Sequence, residues 1–182
     1  MNFARLCAVA LVGLCSSSSP AIGLSVVERD FSELVALSEE ILVGTVTQID
    51  NGETATGGPQ TYVSFSDLTV LKGNPATPFV LQLSGGRAPD GMLVQVPDMP
   101  TFAVGERAVL FVRGNGRDYC PLVGVWQGRF RVRQDPERGV PVVLNHDGNV
   151  LLGLSGSELE TARGDGGGAG TEPRRVQRPH PR

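Results

Sequence analysis

The side chains with most scope for chemistry are three arginines spaced two apart, Arg129, Arg131 and Arg133, in the run Gly128-Arg129-Phe130-Arg131-Val132-Arg133. In an extended strand alternate residues face the same way, so the three guanidinium groups project from one face and Phe130 and Val132 from the other. Guanidinium forks hold carboxylate, sulfate or phosphate oxygens in pairs. The stripe, extended by Arg138 and adjoined by the lone Trp126, is therefore the candidate contact for an acidic protein, a lipid headgroup or an anionic glycan. The competing expectation is a solvated edge strand whose like charges discourage edge-to-edge pairing. Trp126 and Phe102 are candidate aromatic contacts, although a lone Trp that closes a strand ordinarily belongs to the core.

Other chemistries lack their parts. There are two histidines, His146 in the turn-forming Asn145-His146-Asp147-Gly148-Asn149 and His180 near the end. No H-E-x-x-H or cysteine pair supplies zinc ligands, and the turn lacks the spaced carboxylates and distal Glu of a calcium loop. Ser84-Gly85-Gly86 and Gly153-Leu154-Ser155-Gly156 place serines beside glycines, but neither is a G-x-S-x-G elbow, and His146 is the single base within reach of a triad. Glu39-Glu40 and the Glu158/Glu160 pair sit where solvated helix ends are expected, so glycosidase chemistry is no better supported. No catalytic residue, metal ligand or cofactor is assigned. The sequence points to a non-catalytic binding or interaction module, with a secreted hydrolase or a protease inhibitor as alternatives.

Residues 1–23 have the form of a signal peptide: Arg5, then the apolar run Leu6–Leu14, then small residues with Ala21 and Gly23 at the positions signal peptidase reads. A lipobox reading through Cys15 is disfavoured because Leu14 is large where that motif wants a small residue. The mature chain is expected to be secreted or periplasmic. No second apolar stretch is long enough to span a bilayer. Cys7 and Cys15 fall in the signal, which leaves Cys120 alone and an internal disulfide impossible. Cys120 is read as a small buried apolar side chain, or as an intermolecular link if exposed.

The tail from Arg163 carries a net +3 and Arg5 adds +1, so the −3 of the whole chain leaves −7 on residues 24–162. An acidic domain argues against nucleic acid as a partner. Lys72 is the single lysine. Residues 163–182, rich in Gly and Arg and poor in apolar side chains, are expected to be disordered.

That leaves 24–162 as one domain. Asp30 and Glu33 form a D-x-x-E capping box ahead of the apolar face Phe31, Leu34, Val35 and Leu37, which predicts a short N-terminal helix. From Ile41 to Ile49 the period becomes two, a strand that Asn51-Gly52 and Gly57-Gly58-Pro59 should end in a loose loop. Between Thr61 and Leu71 the apolar phase slips, Val63 and Phe65 marking one face and Leu68 and Val70 the other, the signature of a β-bulge. Further strands are expected at 79–83, 92–96, 107–113, 119–126, 129–133 and 140–145, with a last helical turn at Ser157-Glu158. Ala108–Val112 is apolar on both faces, as in a covered central strand. The loops Gly85–Gly91 and Pro97–Pro100 would flank a ligand mouth. The fold class is mainly β: a small OB-like barrel, closed or partly open.

Five segments in order, Val70-Leu71-Lys72-Gly73, Ser84-Gly85-Gly86, Phe102-x-x-Gly105-Glu106, Leu110-Phe111 and Gly128-Arg129-Phe130-Arg131-Val132, preceded by Leu42-Val43-Gly44-Thr45-Val46, give the chain a resemblance. Over residues 33–133 it resembles a group of uncharacterised secreted bacterial β-domain proteins, which implies export and a β-barrel but brings no site residues. More loosely it is similar to OB-type netrin and metalloprotease-inhibitor domains. Those inhibitors chelate zinc with an N-terminal cysteine, whereas the expected mature start is Leu24-Ser25.

Overall fold

The computed structural model describes residues 27–163. The expected signal with Cys15, Ala21 and Gly23, and the tail beyond Arg163, lie outside the described residues. One helix, α1 (Phe31–Leu37), precedes ten strands: β1 (Glu40–Glu53), β2 (Pro59–Lys72), β3 (Phe79–Ser84), β4 (Gly86–Arg87), β5 (Leu93–Val94), β6 (Arg107–Val112), β7 (Arg129–Gln134), β8 (Pro141–Leu144), β9 (Val150–Ser155) and β10 (Glu158–Ala162). The capping box at the start of α1 forms as the sequence predicts. Glu33 N donates to Asp30 Oδ1 at 2.8 Å and Asp30 N to Glu33 Oε2 at 3.1 Å, so two amides that a helix start leaves open are satisfied. Ser38 ends the helix, its hydroxyl donating to the Leu34 carbonyl at 2.6 Å.

Eight strands form one antiparallel sheet in the order β10-β9-β8-β7-β6-β1-β2-β3, and β4 pairs with β5 apart from it. The predicted bulge is present. Thr45 pairs with Ser66 while Val43 pairs with Thr69, so Asp67 and Leu68 oppose Gly44 alone, and Asp67 takes a φ of 52°. Gly44 suits that spot, because a Cβ there would lie 2.8 Å from Leu68 Cδ2 and 3.2 Å from Phe65 Cδ1 and would have to displace the Leu68 side chain. Two further register shifts between β1 and β2 bend this long ribbon again.

The sheet does not close on itself, so the mainly β class holds while a closed barrel is not seen. Along the outer edge of β3 the segment after β6 runs instead of a strand. Asn115 takes the part of a strand residue there, its Oδ1 accepting from Gln82 N at 3.0 Å and its Nδ2 donating to Val80 O at 2.8 Å. Ser84 N donates to Tyr119 O at 2.9 Å. An edge that would otherwise be open is thereby covered.

Four local expectations change. Asn51-Gly52 stays in strand, paired with Thr61 and Gln60, and the turn falls at Thr54–Gly58, where the Thr54 hydroxyl accepts from Gly58 N at 3.0 Å. Residues 119–126 are not a strand; Leu122 alone bridges to Val112, and Gly124 and Val125 at φ 65° and 59° break the extended path. The strand expected at 92–96 contracts to Leu93–Val94. Ser157-Glu158 starts strand β10 rather than a helical turn, because Gly156 at φ 65° turns the chain tightly back on β9.

The sheet is buried on both faces at its centre. Leu42, Val46, Val63, Phe65, Phe79, Leu81, Ala108, Leu110 and Val112 form the larger core on one face. On the other, Ile41, Phe111, Val123 and Phe130 pack against Leu34 and, more loosely, against Leu151 and Leu159 of the β9–β10 hairpin. The expectation of a doubly covered strand at Ala108–Val112 is met. No helix among the described residues is long and apolar enough to cross a membrane.

Two predictions follow from this packing. Leu110 is fully buried, so Leu110→Ala should lower the unfolding free energy by about 3 kcal/mol in urea titration. At the rim, Glu39 and Glu40 should respond to acid with opposite signs. Glu39 accepts from Gly114 N at 3.1 Å and pairs with Arg117, which holds its carboxyl below the ordinary 4.5; burial pushes Glu40 above that value. Glu39 therefore stabilises the fold above pH 4.5 and loses this as pH falls further, whereas the Glu40 penalty exists at neutral pH and vanishes on acidification. Thermal melts at pH 7 should show Glu39→Gln melting lower and Glu40→Gln higher than wild type; on acidification the Glu40 difference should shrink first, as the pH falls towards 4.5, and the Glu39 difference only below 4.5.

Candidate functional site

Trp126 is carried on a short 3-10 turn, Val125–Gly128, that links the core to β7. Three features fix that turn. Gly124 enters it in the left-handed region, and Val125 follows at φ 59°, a conformation a β-branched residue adopts only under strain. Gly128 closes it so tightly that a Cβ would sit 2.6 Å from Val123 O. The buried Gln127 amide then ties it to the N-terminal segment, accepting from Arg29 N at 2.8 Å and donating to Val27 O at 2.9 Å.

The arginines leave this turn on β7. Arg129 pairs with Leu110 and Arg131 with Ala108, so both lie on the larger-core face while Phe130 enters the smaller core, as strand alternation predicts. Their environments differ. Arg129 is enclosed: its Nε donates to Glu106 Oε1 at 3.0 Å, its Nη2 ion-pairs with the same oxygen, and its guanidinium carbon lies 4.5 Å from the centroid of Phe102. Both side chains of the pair are only about 15% exposed. Arg129 is thus a positioned, neutralised cation. Arg131 is exposed, and so is Arg133, one step further along and opposite Val142. The expectation of an edge strand is overturned, since β7 lies between β6 and β8. Arg138 joins the turn beyond β7, its amide donating to Asp135 Oδ1 at 3.0 Å.

Beside Arg131 the structure brings in a residue from another element. His146, at the β8–β9 turn, lays its ring on Trp126 with centroids 4.0 Å apart and planes inclined by 38°. The turn is held by Asn145, whose Oδ1 accepts from Asn149 N at 2.9 Å and whose carbonyl accepts from Gly148 N at 3.0 Å. Asp147 Oδ1 stands 3.2 Å from His146 Nε2. Trp126, Arg129, Arg131 and His146 together line a cavity of about 300 Å³, completed by Asp98 to Thr101. The set comprises an aromatic platform, an exposed guanidinium fork and, in Asp98, a carboxylate that accepts from hydroxyls. Of the predicted contact residues, Trp126, Arg129 and Arg131 come together and Arg133 stands apart.

The serines are elsewhere. Ser84 lines a second, larger cavity of about 660 Å³ with Gly85, Gly86, Leu83, Val96 and Phe102, and the two cavities share Met99, Pro100 and Thr101 as a common wall. Of the two loops expected to flank a ligand mouth, Gly85 and Gly86 of the first and Pro97, Met99 and Pro100 of the second line this larger cavity. Ser155 ends β9 opposite Glu158. His146 meets neither serine across the smaller cavity. Cys120 is buried, which pushes its thiol above the ordinary range. Among the described residues no three His, Cys, Asp or Glu side chains cluster as a metal site requires.

Sequence reasoning missed Glu106, Gln127 and Asp98 as parts of the site. Glu106 had a signal: it closes the Phe102-x-x-Gly105-Glu106 segment, and that segment grips Arg129 of the Gly128-Arg129 segment. Gln127 had none, since its role depends on distant chain, and Asp98 was read only as part of the Pro97–Pro100 loop, not as a side chain beside Trp126. If the turn positions the platform as described, Gly128→Ala should cost about 2 kcal/mol and shift Trp126 emission to the red in the still-folded protein. Unaltered emission would detach the indole from the turn. No protein-family model, curated protein or solved structure matches the chain.

Proposed function

We propose that this protein is an exported, non-catalytic binding module of the bacterial envelope or secretome, and that it holds an anionic glycan in the Trp126–His146–Arg131 cavity. The observation that carries the reading is the ring pair at 4.0 Å beside an exposed arginine and the Asp98 carboxylate, in a cavity of about 300 Å³. An aromatic face receives the apolar face of a sugar ring, a carboxylate accepts from its hydroxyls, and a guanidinium fork takes a uronate or sulfate in bidentate fashion. Asp98 favours a sugar over a bare anion, because a carboxylate in the wall repels phosphate or sulfate alone and welcomes hydroxyl donors. The resemblance to secreted β-domain proteins supports export, and the segment after β6 that covers the outer edge of β3 supports a partly open barrel of OB-like character. The hydrolase alternative is weaker because His146 stacks on Trp126 and faces no serine.

The test is calorimetric titration with acidic and neutral oligosaccharides of equal length. Acidic chains should bind, at least tenfold more weakly in Trp126→Ala, and should lose their advantage over neutral ones in Arg131→Glu and in 0.5 M salt (on the order of a 4–5 Å screening length). Equal affinity for both classes, or indifference to both substitutions, would remove this cavity as the glycan site. Loss of a hydrolytic activity in His146→Ala would favour the enzyme instead.

A further inference from the structure

The opposite face of the sheet carries a groove that the glycan reading does not use. It has a volume of about 490 Å³ and runs between α1, the sheet and the β9–β10 hairpin, within the range of small-ligand sites. Its walls are wholly apolar: Val35 from the helix, Phe111 and Phe130 from the sheet, and Leu151 and Leu159 from the hairpin, with no charged or polar side chain among the lining residues. The hairpin arches over it, held at two places. Val150 pairs with Leu144 at the β8 side, and Phe31 N donates to Ser157 O at 3.0 Å at the helix side. At the rim Leu154, which also lines the groove, is 52% exposed and Leu71 is 61% exposed. Apolar surface of this extent, gathered in one recess with an exposed rim, is the kind that marks a binding site.

A cation stands beside the groove without lining it. Lys72 follows the lining residue Leu71, and its Nζ donates to the carbonyl of the lining residue Val35 at 2.8 Å. An ammonium has three donors, so this bond leaves others to engage a ligand. Among the described residues no carboxylate lies within ion-pairing distance of it. Lys72 is also the single lysine of the chain.

An apolar slot with one unpaired cation beside it is complementary to a single-chain anionic amphiphile. We infer that the groove between α1 and the β9–β10 hairpin binds a long-chain carboxylate, its acyl chain along Phe111, Phe130 and Leu151 and its head at Lys72. The carboxylate replaces water on the ammonium, and the chain covers surface the fold leaves wet. Membrane docking is disfavoured because the residues form a recess rather than a protruding patch.

Calorimetry on the full mature chain with octanoate, decanoate and dodecanoate, below their aggregation concentrations, should give affinity rising about fourfold per methylene. Decanoate should bind at least tenfold more tightly than 1-decanol, and Lys72→Gln should erase that preference while leaving decanol unchanged. Leu154→Glu, at a half-exposed position that the fold tolerates, should abolish binding of both, with Leu154→Gln as a milder companion and thermal melts confirming the fold. No binding of any chain length by the wild type would overturn the inference. So would equal affinity for acid and alcohol, or a carboxylate preference that survives Lys72→Gln. The glycan titration is independent: Trp126→Ala should leave decanoate binding unaltered, so either proposal can fail alone.

Discussion

Everything else in the molecule depends on the β1–β6 ladder being buried on both faces. Ile41 and Phe111 pair across it and enter the smaller core, while Leu42 and Leu110 pair next to them and enter the larger. A strand with one wet face has its register set by hydrophobic pattern, because a slip of one residue exposes the apolar set. Here both sets are apolar, and pattern alone would tolerate the slip. Shape decides instead. The bulge at Asp67–Leu68 sets its leucine against Gly44, where a side chain would crowd it, and Gly128 fits tightly against the backbone of Val123 and Phe111. Two glycines thus do for register what polarity does in an ordinary amphipathic strand.

The same constraint puts the polar cluster where it is. Each β7 residue that pairs with the larger-core side of β6 must face that core, and at Arg129 this would bury a bare charge at a cost of several kcal/mol. Glu106 and Phe102 resolve the conflict by neutralising and covering the guanidinium at the core's edge. One step further, Arg131 faces the same way beyond the core and is exposed. The gradient from enclosed to open arginine along one strand is the physical origin of the cavity. The strained Val125 immediately precedes Trp126 in the chain, in keeping with the tendency of unusual backbone to gather where side chains must be aimed.

Features legible in the sequence were those set by near neighbours. The capping box at Asp30, the phase slip between Phe65 and Leu68 and the two-sided apolar run Ala108–Val112 each depend on residues a few positions apart, and each is found in the structure. The arginine alternation on β7 was legible for the same reason, and the β7 environment was not: whether a strand is an edge is decided by β8, more than ten residues on. Residues 119–126 look like a strand by composition, but Gly124 and Val125 enter left-handed backbone to aim Trp126, a demand local propensity does not carry. Strand β9 was hidden because Gly153 interrupts Val150–Ser155 and Gly156 follows it at once, and its partner β10 begins with a capping-box pattern that in another context starts a helix. Of the candidate site, Trp126 and the arginines were readable. Their meeting with His146 and Asp98 was not, since it rests on the β8–β9 turn and the loop after β5 arriving at one place.

Strand β7 links the two proposed sites. Arg129 and Arg131 line the polar cavity and Phe130, between them, lines the apolar groove on the opposite face. Such proximity would carry coupling only if β7 had two arrangements that the ligands preferred differently. Its surroundings argue against that. It is hydrogen-bonded on both sides, its first residue is gripped by Glu106 and Phe102, and Phe130 packs edge-on against Phe111 at 5.5 Å between centroids. The β9–β10 hairpin, by contrast, meets β8 at a single residue pair and is tied to α1 by the bond from Phe31 N to Ser157 O. A ligand that moved the hairpin would act on the β8–β9 turn, and through it on His146. The covalent link from the hairpin to the polar cavity is the turn at Asn145–Asn149, which carries His146 against Trp126.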